Sequence, residues 1–215
     1  LPSNWIYDGR ANLILDNLLA EGKAVPMIIA IPNNQVIHRN HPKHVELTFD
    51  IFEKELRESV IPLVDENYST IETPKGRAIS GLSMGGRHAM FIGLRSLDLF
   101  GSFGILSAGD VTAEETLAKF LNDPDANKKV DYLFVGQGVK EASGFFNNRV
   151  QGLTDALKNH NIEYDDYVGG HGGHDWGAWR QLLDDRFLPS LWRSDEGGGS
   201  GGGGGGRGGG WWGGG

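Results

Sequence analysis

The 215-residue chain has no cysteine. That removes disulfides, thiolate catalysis, iron–sulfur ligation and any cysteine-based zinc site. Nor is there an apolar run approaching the roughly 20 residues that cross a bilayer as a helix, so no membrane partner is expected. Clustered basic residues are missing as well. Lys and Arg number 20 against 28 Asp and Glu, a net charge of −8 at pH 7, and neutralising a phosphate backbone needs the opposite balance, so no nucleic acid is expected either. The start, Leu1-Pro2-Ser3-Asn4-Trp5, carries neither an initiator methionine nor a charged-then-apolar leader, and the chain is expected to begin inside a domain. What it does have is glycine, 34 residues of it, 15 of them in the last 19 positions. Residues 197–215 are therefore a separate compositional object, read as a flexible linker or chain of unassigned identity, and no function is drawn from Arg207, Trp211 or Trp212. Residues 1–196 read as one acidic globular domain.

Within that domain apolar periodicity switches back and forth between helix and strand. Arg10–Glu21 places leucines at helical spacing and stops at Gly22, and Phe49–Tyr68 repeats Phe49, Phe52, Leu56, Val60 and Val64 between charged positions. The run Ala24–Pro32 is short, apolar and bounded by turn formers, which predicts a strand buried on both faces. Further strands are expected at Arg77–Ser80, Phe103–Ser107, Tyr132–Val135 and Glu163–Val168. Helices are expected at Met84–Ser96, Ala113–Leu121, Phe145–His160 and from Trp176 onward. Such alternation implies an α/β fold with a mostly parallel sheet covered by helices on both faces.

Chemistry enters at Gly81-Leu82-Ser83-Met84-Gly85-Gly86, a G-x-S-x-G match with a strand expected before it and a helix after. Small residues two before and two after the serine suit a tight strand-to-helix turn that lifts Ser83 out at the end of the sheet, with the N–H of Met84 as oxyanion donor. A serine hydroxyl needs a base. The chain order of this architecture, Ser then acid then His, discards His38, His41 and His44 and disfavours His88, which is five residues past Ser83. His160 closes a helix, where a cation suits the dipole. There remain His171 and His174 in Gly169-Gly170-His171-Gly172-Gly173-His174-Asp175-Trp176, and His174, directly before a helix, is preferred. A metal held by His171, His174 and Asp175 is the alternative reading of that loop, though no metal is expected. The triplet His38, His41 and His44 reads as mouth-lining or solvated. For the acid, Glu141 is the first carboxylate after the strand at 132–135, ahead of Asp110, Asp165 and Asp166. Trp176 is either a substrate contact or a core anchor.

Taken together these segments resemble the feruloyl esterase branch of the esterase D-like α/β-hydrolases, carbohydrate esterase family 1, over most of residues 5–192. The likeness is carried by Trp5, Gly9-Arg10-Ala11-Asn12, Asp16-Asn17-Leu18-Leu19-Ala20-Glu21-Gly22-Lys23, Ile61-Pro62, Asn67-Tyr68-Ser69, the Ser83 turn, and His174-Asp175-Trp176 with Trp179. It implies that Ser83 is nucleophile, His174 general base and Met84 oxyanion donor. Glu141 matches the acid if a short insertion is allowed, where the family usually has Asp. The family carries strands and a His-Gly turn ahead of the equivalent of Trp5, so the resemblance implies a sheet lacking its N-terminal strands and one oxyanion donor. Its members act on acyl esters of plant cell-wall carbohydrate, without cofactors and outside the cell. A non-catalytic carbohydrate-binding relative, or an acyltransferase or thioesterase on the same fold, is the alternative.

Overall fold

A computed structural model describes residues 2–144, 147–169 and 172–192. The expectations for His171 and for the tail at 197–215 lie outside the described residues. Two helices open the chain, α1 (Ser3–Tyr7) and α2 (Ala11–Ala20). The amphipathic stretch expected at 49–68 begins earlier, as α3 (His44–Glu55), and runs through a wide π turn at Leu56–Val60 into α4 (Ile61–Asn67). Strand β1 (Ala78–Leu82) feeds α5 (Met84–His88), which continues as a π turn to Gly93. Strand β2 (Ser102–Leu106) is followed by three short helices, α6 (Ala113–Thr116), α7 (Ala118–Leu121) and α8 (Ala126–Lys129). Then come β3 (Tyr132–Gly138), α9 (Asn147–Asn159), β4 (Asp165–Gly169), α10 (Trp176–Leu182) and, past another π turn, α11 (Leu188–Ser190).

The four strands form one parallel sheet in the order β1-β2-β3-β4. Side chains alternate across it with the pleat. Phe103, Ile105, Leu133 and Val135 join Phe49, Phe52, Met90, Phe91, Val150 and Leu153 on one face. On the other, Leu106 and Phe134 meet Leu15 and Leu18 of α2 together with Trp179, Leu182 and Phe187. Helices thus cover both faces, as the alternation of elements required. Because every strand runs the same way, all strand-to-helix turns after β1, β2 and β3 open at one edge, the edge where open α/β sheets bind ligands.

One expected strand does not form. Residues 24–32 have no ladder partner, and Ile28 and Ile29 are 49% and 38% exposed rather than buried. The run instead walls a cavity of about 1170 Å³, whose opposite side is β1 with Ser83. An apolar run becomes a strand only when a neighbour supplies N–H and C=O groups to its backbone, and the cavity separates this run from the edge of β1.

Candidate active site

The turn after β1 is held in an uncommon backbone conformation. Ser83 has φ 52° and ψ −114°, outside the regions a side-chain-bearing residue ordinarily occupies, and such strain persists only where packing enforces it. Its N–H donates to Leu106 C=O of β2 at 2.9 Å, tying the turn to the sheet. The crowding is at Gly81 and Gly86. A Cβ on Gly81 would lie 2.3 Å from the Gly85 carbonyl carbon, and one on Gly86 would lie 2.6 Å from Ala108 Cβ and 2.8 Å from Leu106 O. The sequence expectation that the glycine two residues after the serine, Gly85, is equally confined is corrected here. A Cβ on Gly85 would approach only Asn34 Nδ2, at 4.0 Å, so the space needed is on Gly85's backbone side and belongs to Gly81 and Gly86. Met84 opens α5, where first-turn N–H groups have no acceptor within the helix and point off its end.

Ser83, His174 and Glu141 come from three separate loops and meet. Ser83 Oγ is 2.8 Å from His174 Nε2, and His174 Nδ1 is 2.6 Å from Glu141 Oε1. A carboxylate only accepts, so Nδ1 carries the proton and Nε2 is left to accept the serine hydroxyl. The other oxygen, Oε2, accepts the Ser107 hydroxyl at 2.5 Å and the Gly138 N–H at 2.9 Å. Glu141 is 4% exposed. Burial by itself would raise its pKa, but the hydrogen bonds from His174, Ser107 and Gly138 outweigh burial and hold the carboxyl below the usual range. It is a buried acid kept ionised beside an imidazole.

Two further residues brace that carboxylate. Ser107, at the end of β2 with φ 49°, accepts the Trp179 indole N–H at 2.8 Å while donating to Glu141. The Trp179 ring lies edge-on to His174, centroids 5.0 Å apart. The sequence places Trp179 among the residues that carry the family likeness, without a link to the acid, and does not single out Ser107. No spacing rule marks a serine at a strand end, and its role appears only when β2, β3 and α10 are brought together. Asp175 is the N-cap of α10, accepting from Ala178 N–H at 3.1 Å and from Gly173 N–H at 2.8 Å, which fixes the loop carrying His174.

The remaining candidates are accounted for by their surroundings. Trp176 is half-buried, edge-on to Trp179 and to Trp5, and it lines the same cavity as Ser83 and Met84. His88 is buried between Phe49 and Phe52, with Nδ1 2.8 Å from Met84 C=O and Nε2 3.3 Å from Thr48 Oγ1, and burial pushes its pKa down. His38 and His41 are exposed and accept backbone N–H groups two residues on, whereas His44 lines the cavity. His160 meets Glu114 at 2.8 Å. Asp110 is bound by Thr112 and Thr116, and Asp165 by the Tyr132 hydroxyl. Among the described residues no group of three or more His, Cys, Asp or Glu is placed to hold a metal.

Known proteins share this arrangement of elements. Over 182 residues, 85% of the chain, the sequence is 35% identical to an endo-1,4-beta-xylanase/feruloyl esterase of Xylanibacter ruminicola, and it spans 23% of that protein's length. A solved ferulic acid esterase superposes with a TM-score of 0.68 at 26% identity, covering 88% of this chain and 79% of that one. A CE1 ferulic acid esterase from Anaeromyces mucronatus, solved in complex with ferulic acid, also gives 0.68, at 22% identity over 82% of this chain and 69% of that one, a likeness of fold. The fold is that of the α/β-hydrolases, and with the Esterase family model matching residues 2–188, the chain belongs to the Esterase family.

Proposed function

We propose that the chain is a serine esterase that hydrolyses feruloyl or acetyl esters of plant cell-wall carbohydrate through an acyl-Ser83 intermediate. The observation that carries the mechanism is the unbroken relay from Ser83 Oγ through His174 to the buried Glu141. As Ser83 Oγ bonds to the ester carbonyl carbon, His174 Nε2 takes the hydroxyl proton, and Glu141 offsets the imidazolium charge that forms. Negative charge moves to the former carbonyl oxygen, which the Met84 N–H and the amino end of α5 stabilise. Collapse breaks the bond to the sugar oxygen, which receives the proton from His174. Water then enters, is deprotonated by the same nitrogen and releases the acid, restoring the Ser83 hydroxyl. Every proton and charge in this sequence is handled by the chain's own groups. The half-buried Trp176, on the cavity wall beside Ser83, offers an apolar ring to the substrate.

The substrate class is supported by family membership, by the 35% identity to a protein named as both xylanase and feruloyl esterase, and by the likeness to a solved ferulic acid esterase. A wall ester places the work outside the cell, and no helix among the described residues is long and apolar enough to cross a membrane. Intact-mass spectrometry before and after a fluorophosphonate ester tests the chemistry. One adduct is expected on the unaltered chain and none on Ser83→Ala or His174→Ala. Hydrolysis of methyl ferulate and of acetylated xylan then separates the acyl groups. A chain that takes no adduct and turns over neither ester is a binding relative and not an enzyme.

A further inference from the structure

Two arginines stand at the edge of the sheet that carries Ser83, and nothing in the reaction above uses them. Arg87 lies one turn into α5, and Arg149 lies in the first turn of α9. Backbone packing brings both to the loop after β2. Gly86 sits so close to Ala108 that a Cβ would approach Ala108 Cβ to 2.6 Å, and a Cβ on Gly109 would come within 2.2 Å of the Arg149 carbonyl oxygen. The Arg87 guanidinium rests on apolar rings, 5.4 Å from the Phe91 centroid and 5.7 Å from that of Phe49. Its Nε is buried with no hydrogen-bond partner. Among the described residues neither guanidinium has a carboxylate or hydrogen-bond partner, whereas Arg57 and Arg77 are both ion-paired. The acid whose charge reaches Arg87, Asp110, is already bound through both oxygens by Thr112 and Thr116 of its own loop.

Unpaired cations this close are unfavourable in the empty protein. Burial, followed by the charge of Arg149, weakens Arg87's hold on its proton, and the charge of Asp110 offsets this only in part. A chain with a net charge of −8 has carboxylates in excess, yet here Asp110 acts on Arg87 through its charge alone, without an ion pair. The same rim holds a second unsatisfied group, the 94%-buried Gln137 at the end of β3. Its Nε2 donates to Asn147 Oδ1 at 3.1 Å, while its Oε1 has no partner. Guanidiniums call for a carboxylate and an orphan amide oxygen calls for a hydroxyl.

We infer that Arg87 and Arg149 form a subsite for a carboxylate on the carbohydrate part of the substrate, so that the preferred ester is carried by an acidic, uronate-bearing glycan. The inference rests on Ser83 being the nucleophile, because Arg87 follows it by one turn of backbone, its N–H donating to the Ser83 C=O at 3.0 Å.

The test separates the two. Ser83→Ala protein is titrated by calorimetry with sodium D-glucuronate, with D-glucose, and with sodium ferulate as a carboxylate of the product type. Glucuronate is expected to bind and glucose not, the binding weakening with added salt. Arg149→Glu, at an exposed position where the core is untouched, and Arg87→Gln should each weaken glucuronate by about tenfold or more, the scale of one charge-assisted hydrogen bond. Equal binding of glucose and glucuronate, or glucuronate binding unaltered in Arg149→Glu, overturns the subsite. Tighter binding of ferulate than of glucuronate at the arginines also overturns it, by assigning the charge to the acid product. Hydrolysis of 4-nitrophenyl acetate by the unaltered chain is measured in parallel. Its absence refutes the nucleophile reading without touching the binding result.

Discussion

At the scale of single residues the proposed mechanism turns on one carboxylate. Glu141 is buried, and a buried carboxyl is ordinarily driven toward its neutral form. Three donors reverse that tendency. Glu141→Gln keeps the shape but replaces a charge with an amide whose NH2 faces the imidazole as a donor and favours the wrong tautomer. Turnover of methyl ferulate should fall by on the order of 10³- to 10⁴-fold, with KM little changed and the far-ultraviolet circular dichroism spectrum unaltered. Ser107→Ala removes one donor to Glu141 and strands the Trp179 indole N–H. Its kcat should drop about tenfold, the equivalent of one hydrogen bond to a charged group. Since Ser107 acts through Glu141, the acid limb of the pH–rate profile should shift as well, an effect that a general loosening of the core would not produce. Glu141 could be singled out in the sequence because it is the first carboxylate after the strand at 132–135. Ser107 could not, since nothing local distinguishes it from other serines.

Among the elements, the turn from β1 into α5 concentrates the constraint. Positive φ at Ser83 is tolerated because β2 holds the turn through Leu106 O and because two neighbours lack side chains. The glycines divide into those with no room and one with room. Gly86→Ala drives a methyl into Ala108 and the Leu106 carbonyl and should cost about 1–3 kcal/mol of stability by urea denaturation, the usual range for overpacking. Gly85→Ala meets open space on a helix, and it should leave stability within about 0.5 kcal/mol or raise it slightly, as helix propensity favours alanine. Equal losses at the two positions would contradict the geometry. The G-x-S-x-G pattern was read correctly as a strand–turn–helix. That Gly86 and not Gly85 is sterically required could not be read, because the atoms a Gly86 side chain would strike belong to the end of β2 and the loop beyond it.

For the molecule as a whole, buried titratable groups set the response to pH. His88 is held neutral by burial between Phe49 and Phe52, so its folded pKa lies below the unfolded value of about 6.5. The unfolded chain then takes up the proton first, and stability must decline as pH falls below about 6.5 until the folded pKa is passed. Carboxylates act lower on the scale. Burial would raise Glu141, yet its hydrogen bonds hold it below the usual range, and Asp65 is held down by Thr70 first and then by Arg77. Their contribution is complete above the unfolded carboxyl pKa of about 4 and is lost as pH falls through the folded values. Thermal denaturation from pH 8 to 3 should therefore show two declines, and His88→Gln should remove the first while leaving the second. A single decline confined to acid pH would refute the assignment to His88.

Sequence alone determined the alternation of helix and strand, and with it a parallel sheet covered on both faces, because period and turn chemistry are local properties of the chain. It also determined the Ser83 turn and singled out His174 and Glu141, since chain order in a parallel sheet dictates which loops open at the same edge. Tertiary structure decided what depends on neighbours. The run at 24–32 has the composition of a strand, but a strand exists only with a partner, and here a cavity lies between it and β1. The hydrogen bonds of Ser107 and Trp179 to the acid, the crowding at Gly86 and the unpaired arginines at 87 and 149 all arise from contacts across tens of residues. No sequence period encodes such contacts. They follow from which side chains the sheet sets side by side.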